Sequence, residues 1–470
     1  MNKIFTNTIW QIVIRFFDVI VGVINIGIIT RVLGQTQFGF YTTIFVFLQT
    51  VMTIGDFGLY LTLLNEVSAT QDKKEEKKRI DNIFAIRLVS ALAIFALAPL
   101  LIRFFPYDQR VMVGVIFLAG AFFWQSLVST LTAVFAKYLD MAKASLAYLM
   151  ARVVYLLSLI YIYQHSGTLN QILFWNTLST AIGFFVLLIF IKKHQRLGMA
   201  WDFLYWKKVF KIAWPLSLGV VLNLVYFKAD TLILSAYHSA EKVGLYGAAY
   251  KILEVLVTFP HMFMGLILPL FVASWIKKDF EKLRVIQQHT FDFFSIINIW
   301  MILVVWLMSE KIMLLITGQE FAQSAPILNI LVLAVVAIFF GTMFTYLVVA
   351  MGLQKKMLKY YFLTAVFGLV AYFLFIPKYG YWAAAIVTVL AEIFVWIAAY
   401  FLVKKSANIS LKTGVLARAI LAAGLSFVLF WPFRDWPVMF LGLAVSAFYF
   451  LMLFVLRVIK KDELKIILNK

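Results

Sequence analysis

The chain has 470 residues, no cysteine and a formal charge of +20; 64% of it is hydrophobic and 14% charged, with a mean hydropathy of +0.94. Soluble globular proteins are roughly 45–50% apolar and about 25% charged, so this composition excludes an ordinary soluble domain and predicts an integral membrane protein. The missing cysteines exclude a disulfide framework and a thiolate metal site.

A helical span needs about 20 apolar residues, and the apolar runs here are that long. Ten-residue blocks of alternating hydropathy are absent, which argues against a barrel. The expected fold is an all-α polytopic membrane protein of about 14 transmembrane helices. The first two spans cover about Thr8–Thr30 and Gly39–Leu64. The stretch Ser68–Asn82, carrying DKKEEKKR, reads as a solvated cytoplasmic loop. Spans three to six follow at about Ile83–Phe105, Val111–Phe135, Ser145–Tyr163 and Gln171–Ile191. The long connection Lys192–Lys211 carries Trp201, Leu204, Tyr205 and Lys208 at a spacing that suits a helix lying in the interface. Spans seven to twelve are expected at about Ile212–Tyr237, Val243–Trp275, Thr290–Met308, Ala325–Met351, Tyr360–Ile376 and Trp382–Val403. Spans thirteen and fourteen cover about Val415–Phe433 and Trp436–Val458, before an amphipathic tail.

With Met1 in the cytoplasm, most of the 42 Lys and Arg fall in cytoplasmic loops. That asymmetry is the positive-inside pattern, so the basic charge marks orientation and not nucleic-acid binding. Both termini are expected on the cytoplasmic side of a plasma (inner) membrane. Arg15 and Asp18 interrupt the first apolar run, which therefore does not read as a cleavable signal.

An internal repeat fixes the expected topology. Lys228–Tyr250, KADTLILSAYHSAEKVGLYGAAY, has a dilute echo 205 residues earlier. Asn25 falls opposite Asp230, Gly39-Phe-Tyr41 opposite Gly244-Leu-Tyr246, Gln49 opposite Glu254, and Asp56 opposite His261. Span one therefore matches span seven. An offset of six spans, an even number, preserves orientation, which gives two parallel six-helix repeats about an axis along the membrane normal, plus two C-terminal helices. The expected parts are a bundle over 1–191, an interfacial linker over 192–211, a second bundle over 212–403, and two further helices with a tail over 404–470.

Four stretches carry a family resemblance: RVLGQTQFGFY at Arg31–Tyr41, GDFGLY at Gly55–Tyr60, KADTLILSAYHSAEKVGLYGAAYKILE at Lys228–Glu254, and TGQEFAQSAPILNIL at Thr317–Leu331. With the span layout, the chain resembles the polysaccharide transporter branch of the multidrug/oligosaccharidyl-lipid/polysaccharide (MOP) exporter superfamily, the Wzx-type flippases. The resemblance implies a MATE- and MurJ-like fold. It also implies translocation of an undecaprenyl-pyrophosphate-linked oligosaccharide repeat unit by alternating access, for O-antigen, capsule or other polysaccharide synthesis. Polymerases and glycosyltransferases of the same pathway are the implied protein partners. The rival readings are a MATE-type cation-coupled drug antiporter, a MurJ-type lipid II flippase, and a membrane enzyme acting on the same lipid carrier. No D-x-D, long outer loop or metal-ligand cluster favours the enzyme. No P-loop or other Gly-rich phosphate cradle appears, so no nucleotide or other cofactor is expected.

Ionisable groups at mid-span cost roughly 2.5–3.5 kcal/mol each on insertion scales, so they need partners or a wet cavity. The cations Arg15, Arg87, Arg152, Lys228 and Lys251 are matched by the acids Asp18, Asp56, Asp230, Glu254 and Glu392. Arg15 with Asp18, and Lys251 with Glu254, stand three apart and share a helix face. Such pairs either glue helices together or face a cationic cavity that meets the pyrophosphate, where a planar guanidinium holds two oxygens at once. Arg87 and Arg152 lie near the cytoplasmic ends of their spans, where they either snorkel or receive a headgroup. Lys228 and Asp230 point to opposite sides of a helix; Asp230, with Asn223 and Tyr226, makes a polar stripe that favours a cavity-lining place beside Asn25. Asp56 after Gly55 and His261 after Pro260 mark equivalent breaks, expected as hinges. Glu392 is a candidate for a proton or cation and is left outside the expected site.

Overall fold

The computed structural model describes residues 2–458 apart from 57, 69, 71 and 408–410; the side chains of residues 2–9, 11, 12, 15, 61, 215–220, 223, 225 and 226 fall outside the description. The helices are α1 (Asn2–Asp56), α2 (Leu59–Ser68), α3 (Lys73–Leu101), α4 (Gln109–Lys137), α5 (Met141–Gln164), α6 (Leu169–Ile191) and α7 (Phe203–Tyr237). They continue with α8 (Ala240–Ile276), α9 (Phe280–Thr317), α10 (Ala325–Ala350), α11 (Gln354–Tyr379), α12 (Tyr381–Ala407), α13 (Gly414–Phe430) and α14 (Val438–Val455). Twelve segments among the described residues are long and apolar enough to cross a membrane. One of them, Phe16–Asp56, is two helices broken at Gly34, and the 35-residue α7 adds another. The all-helical, fourteen-span reading stands. The expected amphipathic tail lies outside the described residues.

The breaks fall where backbone stereochemistry puts them. Gly34 has φ 63° and ψ −179°, a conformation that only glycine adopts cheaply, and it divides α1 into spans one and two. Gly58, at φ 67°, separates α1 from α2. The break expected in span two at Gly55-Asp56 falls beside it, where α1 ends at Asp56, whereas α8 runs as one helix through Pro260 and Pro269. Membrane helices tolerate such residues because neighbouring groups re-satisfy the freed carbonyls.

The charge run is a helix end instead of a solvated loop. Asp72 caps α3 by accepting from Lys74 N (2.9 Å), and Glu75 and Glu76 occupy the first turn, where the helix dipole favours anions. Glu76 is buried between Lys137 Nζ (2.6 Å) and the Tyr138 hydroxyl (2.7 Å). The linker is likewise docked. Asp81 Oδ1 accepts from Gly198 N (2.8 Å), and Asn82 Oδ1 accepts from Asp202 N (3.0 Å) and Trp206 Nε1 (3.1 Å). Asp202 caps α7 at Tyr205 N (3.1 Å), so the expected separate interfacial helix is simply the first turns of α7. His194 Nε2 (3.0 Å) and Lys143 both bind Asp140. Partial burial works against the Asp140 carboxylate, but its bonds to Lys143 and His194 prevail and hold it below the usual carboxylate range.

Packing divides the chain into two compact units, one of residues 1–247 with 376–380, the other of residues 248–375 with 381–470. The first has a core of Leu59, Leu63, Ile83, Phe84, Leu131, Phe135 and their neighbours. Within it the repeat becomes a physical contact. A Cβ at Gly39 would stand 1.7 Å from the Ala240 carbonyl oxygen, and a Cβ at Gly244 would stand 2.1 Å from the Gln35 carbonyl oxygen. Gln35 and Ala240 are related by the same offset as Gly39 and Gly244, so residue i meets j′ while j meets i′. That is the signature of a two-fold interface, here between two parts of one chain. Gly247 meets Thr42, its own counterpart, with 2.6 Å between a built Cβ and Thr42 Oγ1, which places this pair on the pseudo-axis. Tyr107 fastens the same region, donating to Leu232 O (3.2 Å) and accepting from Ser235 Oγ (3.1 Å).

In the second unit α10 is the buried centre, packed against α12 and α9. The two C-terminal helices dock on α9 through Leu303, Leu307, Met308, Ala419, Leu441 and Tyr449. The Tyr449 hydroxyl donates to Ile296 O (2.9 Å) and Trp300 Nε1 to Ser446 Oγ (3.0 Å). Met308, at φ −134°, breaks α9 where this layer seats.

Overpacking a tight contact costs about 1–3 kcal/mol. Gly39→Val and Gly244→Val should each lower the melting temperature of the detergent-solubilised protein. The double variant should lose less than the sum, because both side chains open one shared contact; Gly265→Ala, with open space around it, should leave the melting temperature unchanged. The depressed Asp140 carboxyl contributes stability that is present above its unfolded value, about 3.9, and is lost as pH falls through the lower folded value. Intrinsic-rate-corrected hydrogen exchange of residues 192–202 should therefore stay slow from neutral pH down to about 4 and quicken below it. In Asp140→Asn it should be fast throughout.

Candidate functional site

The first unit encloses a cavity of about 330 Å³ between α1, α2, α4 and α5, lined by Ile14, Asp18, Tyr60, Ser129, Thr132, Met141, Ala144, Ser145 and Tyr148. This volume is at the low end for ligand pockets. Five of the nine lining side chains carry hydroxyls, so the walls offer donors and acceptors without net charge. Thr132 Oγ1 lies 3.5 Å from the Tyr148 hydroxyl while donating to Val128 O (2.8 Å), a bond that hides its polarity from the helix exterior.

Asp18 is the charged group on this wall, and Arg152 of α5 holds it. Arg152 Nε lies 3.1 Å from Asp18 Oδ1, and Nη1 donates to Asp18 O at 2.9 Å. The guanidinium reaches α1 because residue 22 is glycine: a Cβ there would stand 2.6 Å from Nη1. Arg152 is half-exposed, so its fork keeps donor capacity beside the cavity. Asp18 thus makes a cross-helix pair with Arg152; the Arg15 side chain, its expected partner within α1, lies outside the described residues.

Arg87 does not snorkel. It is 1% exposed, donates from Nε to Thr130 Oγ1 (2.8 Å), and is ion-paired through Nη2 with Asp56. It bolts α3 to α4 and to the end of α1. Asp230 is not among the residues that line the cavity either. It is wholly buried, with Oδ2 accepting from the Tyr246 hydroxyl (2.5 Å) and Oδ1 from Thr231 N (2.6 Å), so it ties α7 to α8. The rest of its expected polar stripe, Asn223 and Tyr226, lies outside the described side chains. Lys228 is buried with its ammonium 5.6 Å from the Phe227 ring centroid, and Asn25 is buried on α1. In the second unit, Lys251 and Glu254 form the pair their spacing predicts, at 2.8 Å. His261 is exposed on α8, its ring 6.4 Å from that of Tyr346.

Sequence reasoning picked out Asp18 and Arg152 but missed Tyr60, Ser129, Thr132, Ser145 and Tyr148. A signal existed: Ser129 with Thr132, and Ser145 with Tyr148, stand three apart on otherwise apolar helices, so each pair shares a face.

Residues 4–275 match a family profile described as polysaccharide biosynthesis protein, and residues 215–374 match the MatE family. No curated protein sequence matches the chain. Among solved structures, a lipid II flippase MurJ in an inward closed conformation aligns with a TM-score of 0.78 at 12% identity, covering 94% of this chain and 98% of that one. An inward-facing multidrug resistance MATE family transporter of the MOP superfamily aligns with a TM-score of 0.68 at 13% identity, covering 85% and 98%. A MOP superfamily transporter from Pyrococcus furiosus gives 0.63 at 14% identity, covering 86% and 95%. At these identities the likeness is one of fold.

Removing one partner of a buried ion pair strands the other and costs about 3–5 kcal/mol, whereas removing both costs less. Arg87→Met should therefore lower the yield of folded protein far more than Arg87→Met combined with Asp56→Leu. The readout is monodisperse protein recovered on size exclusion together with its melting temperature.

Proposed function

The chain belongs to the polysaccharide biosynthesis protein family and carries the MOP transporter fold, and from that premise we propose that it is a flippase for a polyprenyl-diphosphate-linked oligosaccharide. The observation that carries this reading is the pairing of a hydroxyl-walled cavity with a half-exposed arginine at its edge. The two features match the two parts of such a headgroup. Sugars are recognised through many neutral hydrogen bonds, and a diphosphate through a planar fork that donates to two oxygens at once.

The work is binding and release, without a covalent step. A diphosphate entering the bilayer needs cationic compensation, since an uncompensated charge there costs several kcal/mol. Arg152 is held by Asp18, and the diphosphate oxygens compete with that carboxylate for the same guanidinium face. Such exchange keeps the guanidinium covered at every stage and leaves the displaced Asp18 carboxylate to the hydroxyls of the cavity wall. The polyprenyl chain stays in lipid throughout. In this reading the protein sits in the plasma membrane with both termini cytoplasmic, takes its substrate from glycosyltransferases and delivers it to a polymerase. A lipid II-type substrate shares the same chemistry, and the MurJ alignment over 94% of the chain keeps it as the second reading.

The test is reconstitution in liposomes with a fluorescent undecaprenyl-diphosphate oligosaccharide, scored by the fraction accessible to an impermeant quencher. A charge-assisted hydrogen bond is worth about 1.5–3 kcal/mol, so Arg152→Ala should slow translocation roughly 10- to 100-fold, with Arg152→Lys in between. Undiminished translocation by Arg152→Ala would remove the cationic site. Extrusion of a cationic drug with no lipid movement would transfer the protein to the antiporter reading, and preference for lipid II over other lipid-linked sugars would establish the second.

A further inference from the structure

The described acids within the spans divide five to one, and Asp292 of α9 accepts from Gln288 Nε2 (2.8 Å). Asp18 binds Arg152, Asp56 binds Arg87, Glu254 binds Lys251, and Asp230 binds Tyr246 and Thr231. Glu392 has no ion pair and no hydrogen bond among the described residues. It sits near the middle of α12, 6% exposed, in the second unit.

Its surroundings offer no positive charge. α10, the helix packed most extensively on α12, has no Lys, Arg, His, Asp or Glu along its length, and it meets α12 at this level through Phe340 stacked on Trp396 at 5.0 Å. From α11, the titratable group facing Glu392 is Tyr361. One turn along α12, Thr388 bonds to the Tyr372 hydroxyl (3.0 Å) and to Ala384 O (2.9 Å). The nearest lysines of α12, Lys404 and Lys405, stand three turns away, about 18 Å along the helix axis. Glutamate at mid-span without a cation costs insertion energy and returns no packing or pairing, which is the pattern of a functional group.

We propose that Glu392 is a proton-binding site, loaded and unloaded during the transport cycle, through which a proton gradient drives the movement of substrate. The occupant follows from the ligand count. A divalent ion is commonly held by more than one carboxylate, and no group of three acids or histidines stands together among the described residues. A proton needs one carboxylate. It arrives from water on one side, forms a carboxyl O–H on Glu392, and leaves to water on the other. No other bond changes. The coupling rests on the flippase reading, whereas the binding site does not.

Two experiments separate them. Infrared difference spectra of the full chain in lipid nanodiscs, between acid and alkaline buffer and without substrate, read the carbonyl stretch of protonated carboxyls. A component of that band should vanish in Glu392→Gln and shift in Glu392→Asp, so a poorly folding Gln variant leaves the measurement intact. Bands unchanged in both variants would overturn the site. In liposomes with the fluorescent lipid-linked oligosaccharide, an imposed proton gradient should speed wild-type translocation at least about fivefold, roughly 1 kcal/mol. Glu392→Gln should ignore the gradient. A gradient response that survives in Glu392→Gln, or one to sodium and not to protons, would overturn the coupling. Loss of the band with no translocation by the wild type would keep the proton site and sink the flippase reading.

Discussion

The structure of the first unit hangs on a reciprocal contact between glycines and carbonyls: Gly39 against Ala240, and Gly244 against Gln35. In a membrane there is no hydrophobic gain from bringing apolar helices together, so close packing of small residues has to supply the association. Two backbones that approach this near leave no room for a Cβ, and the two-fold relation makes the demand twice. This is why two glycines survive in register in an otherwise diverged repeat. The break at Gly34 lies just before this contact and aims the start of span two into it.

The same scarcity of solvent organises the charges. Arg87 with Asp56 and Arg152 with Asp18 each join helices that are distant in sequence, so each pair removes an insertion cost and fixes a packing geometry together. Asp230 obtains the same result with a tyrosine hydroxyl and a backbone N–H. Pairs of this kind rigidify. What distinguishes Arg152 from Arg87 is exposure: the first keeps donors beside a cavity, while the second is spent on Thr130 and Asp56. Glu392, with neither cation nor hydrogen-bond donor among the described residues, is the exception.

A carrier of an amphipathic glycolipid must satisfy opposite demands in one passage. The headgroup needs hydrogen bonds and a counter-charge, and the tail needs hydrocarbon. In the proposed role, helices apolar overall with serine, threonine and tyrosine on the cavity wall address both, and a threonine can satisfy its hydroxyl on its own backbone when no ligand is present. Thr132 donating to Val128 O is the clearest instance.

How much of this was legible beforehand follows from which constraints are local. Length, hydropathy, the fourteen spans, the parallel repeat and the Lys251–Glu254 pair are set by composition and by spacings of three or four residues, and the sequence alone determined them. The helical start of α3 was written there too, in Asp72 followed by Glu75 and Glu76, but a run of charge disguised it. The break signalled at Gly55 falls just after it, between Asp56 and Leu59, while α8 stays helical through Pro260, because whether a helix breaks depends on φ and on the neighbours that can take up a lost hydrogen bond. Only the tertiary structure could decide that Asp18 meets Arg152, that Asp56 meets Arg87, and that Glu392 meets no cation among the described residues. Those partners lie on other helices, and the energy that selects them, the cost of a bare charge in hydrocarbon, is settled only when the helices pack.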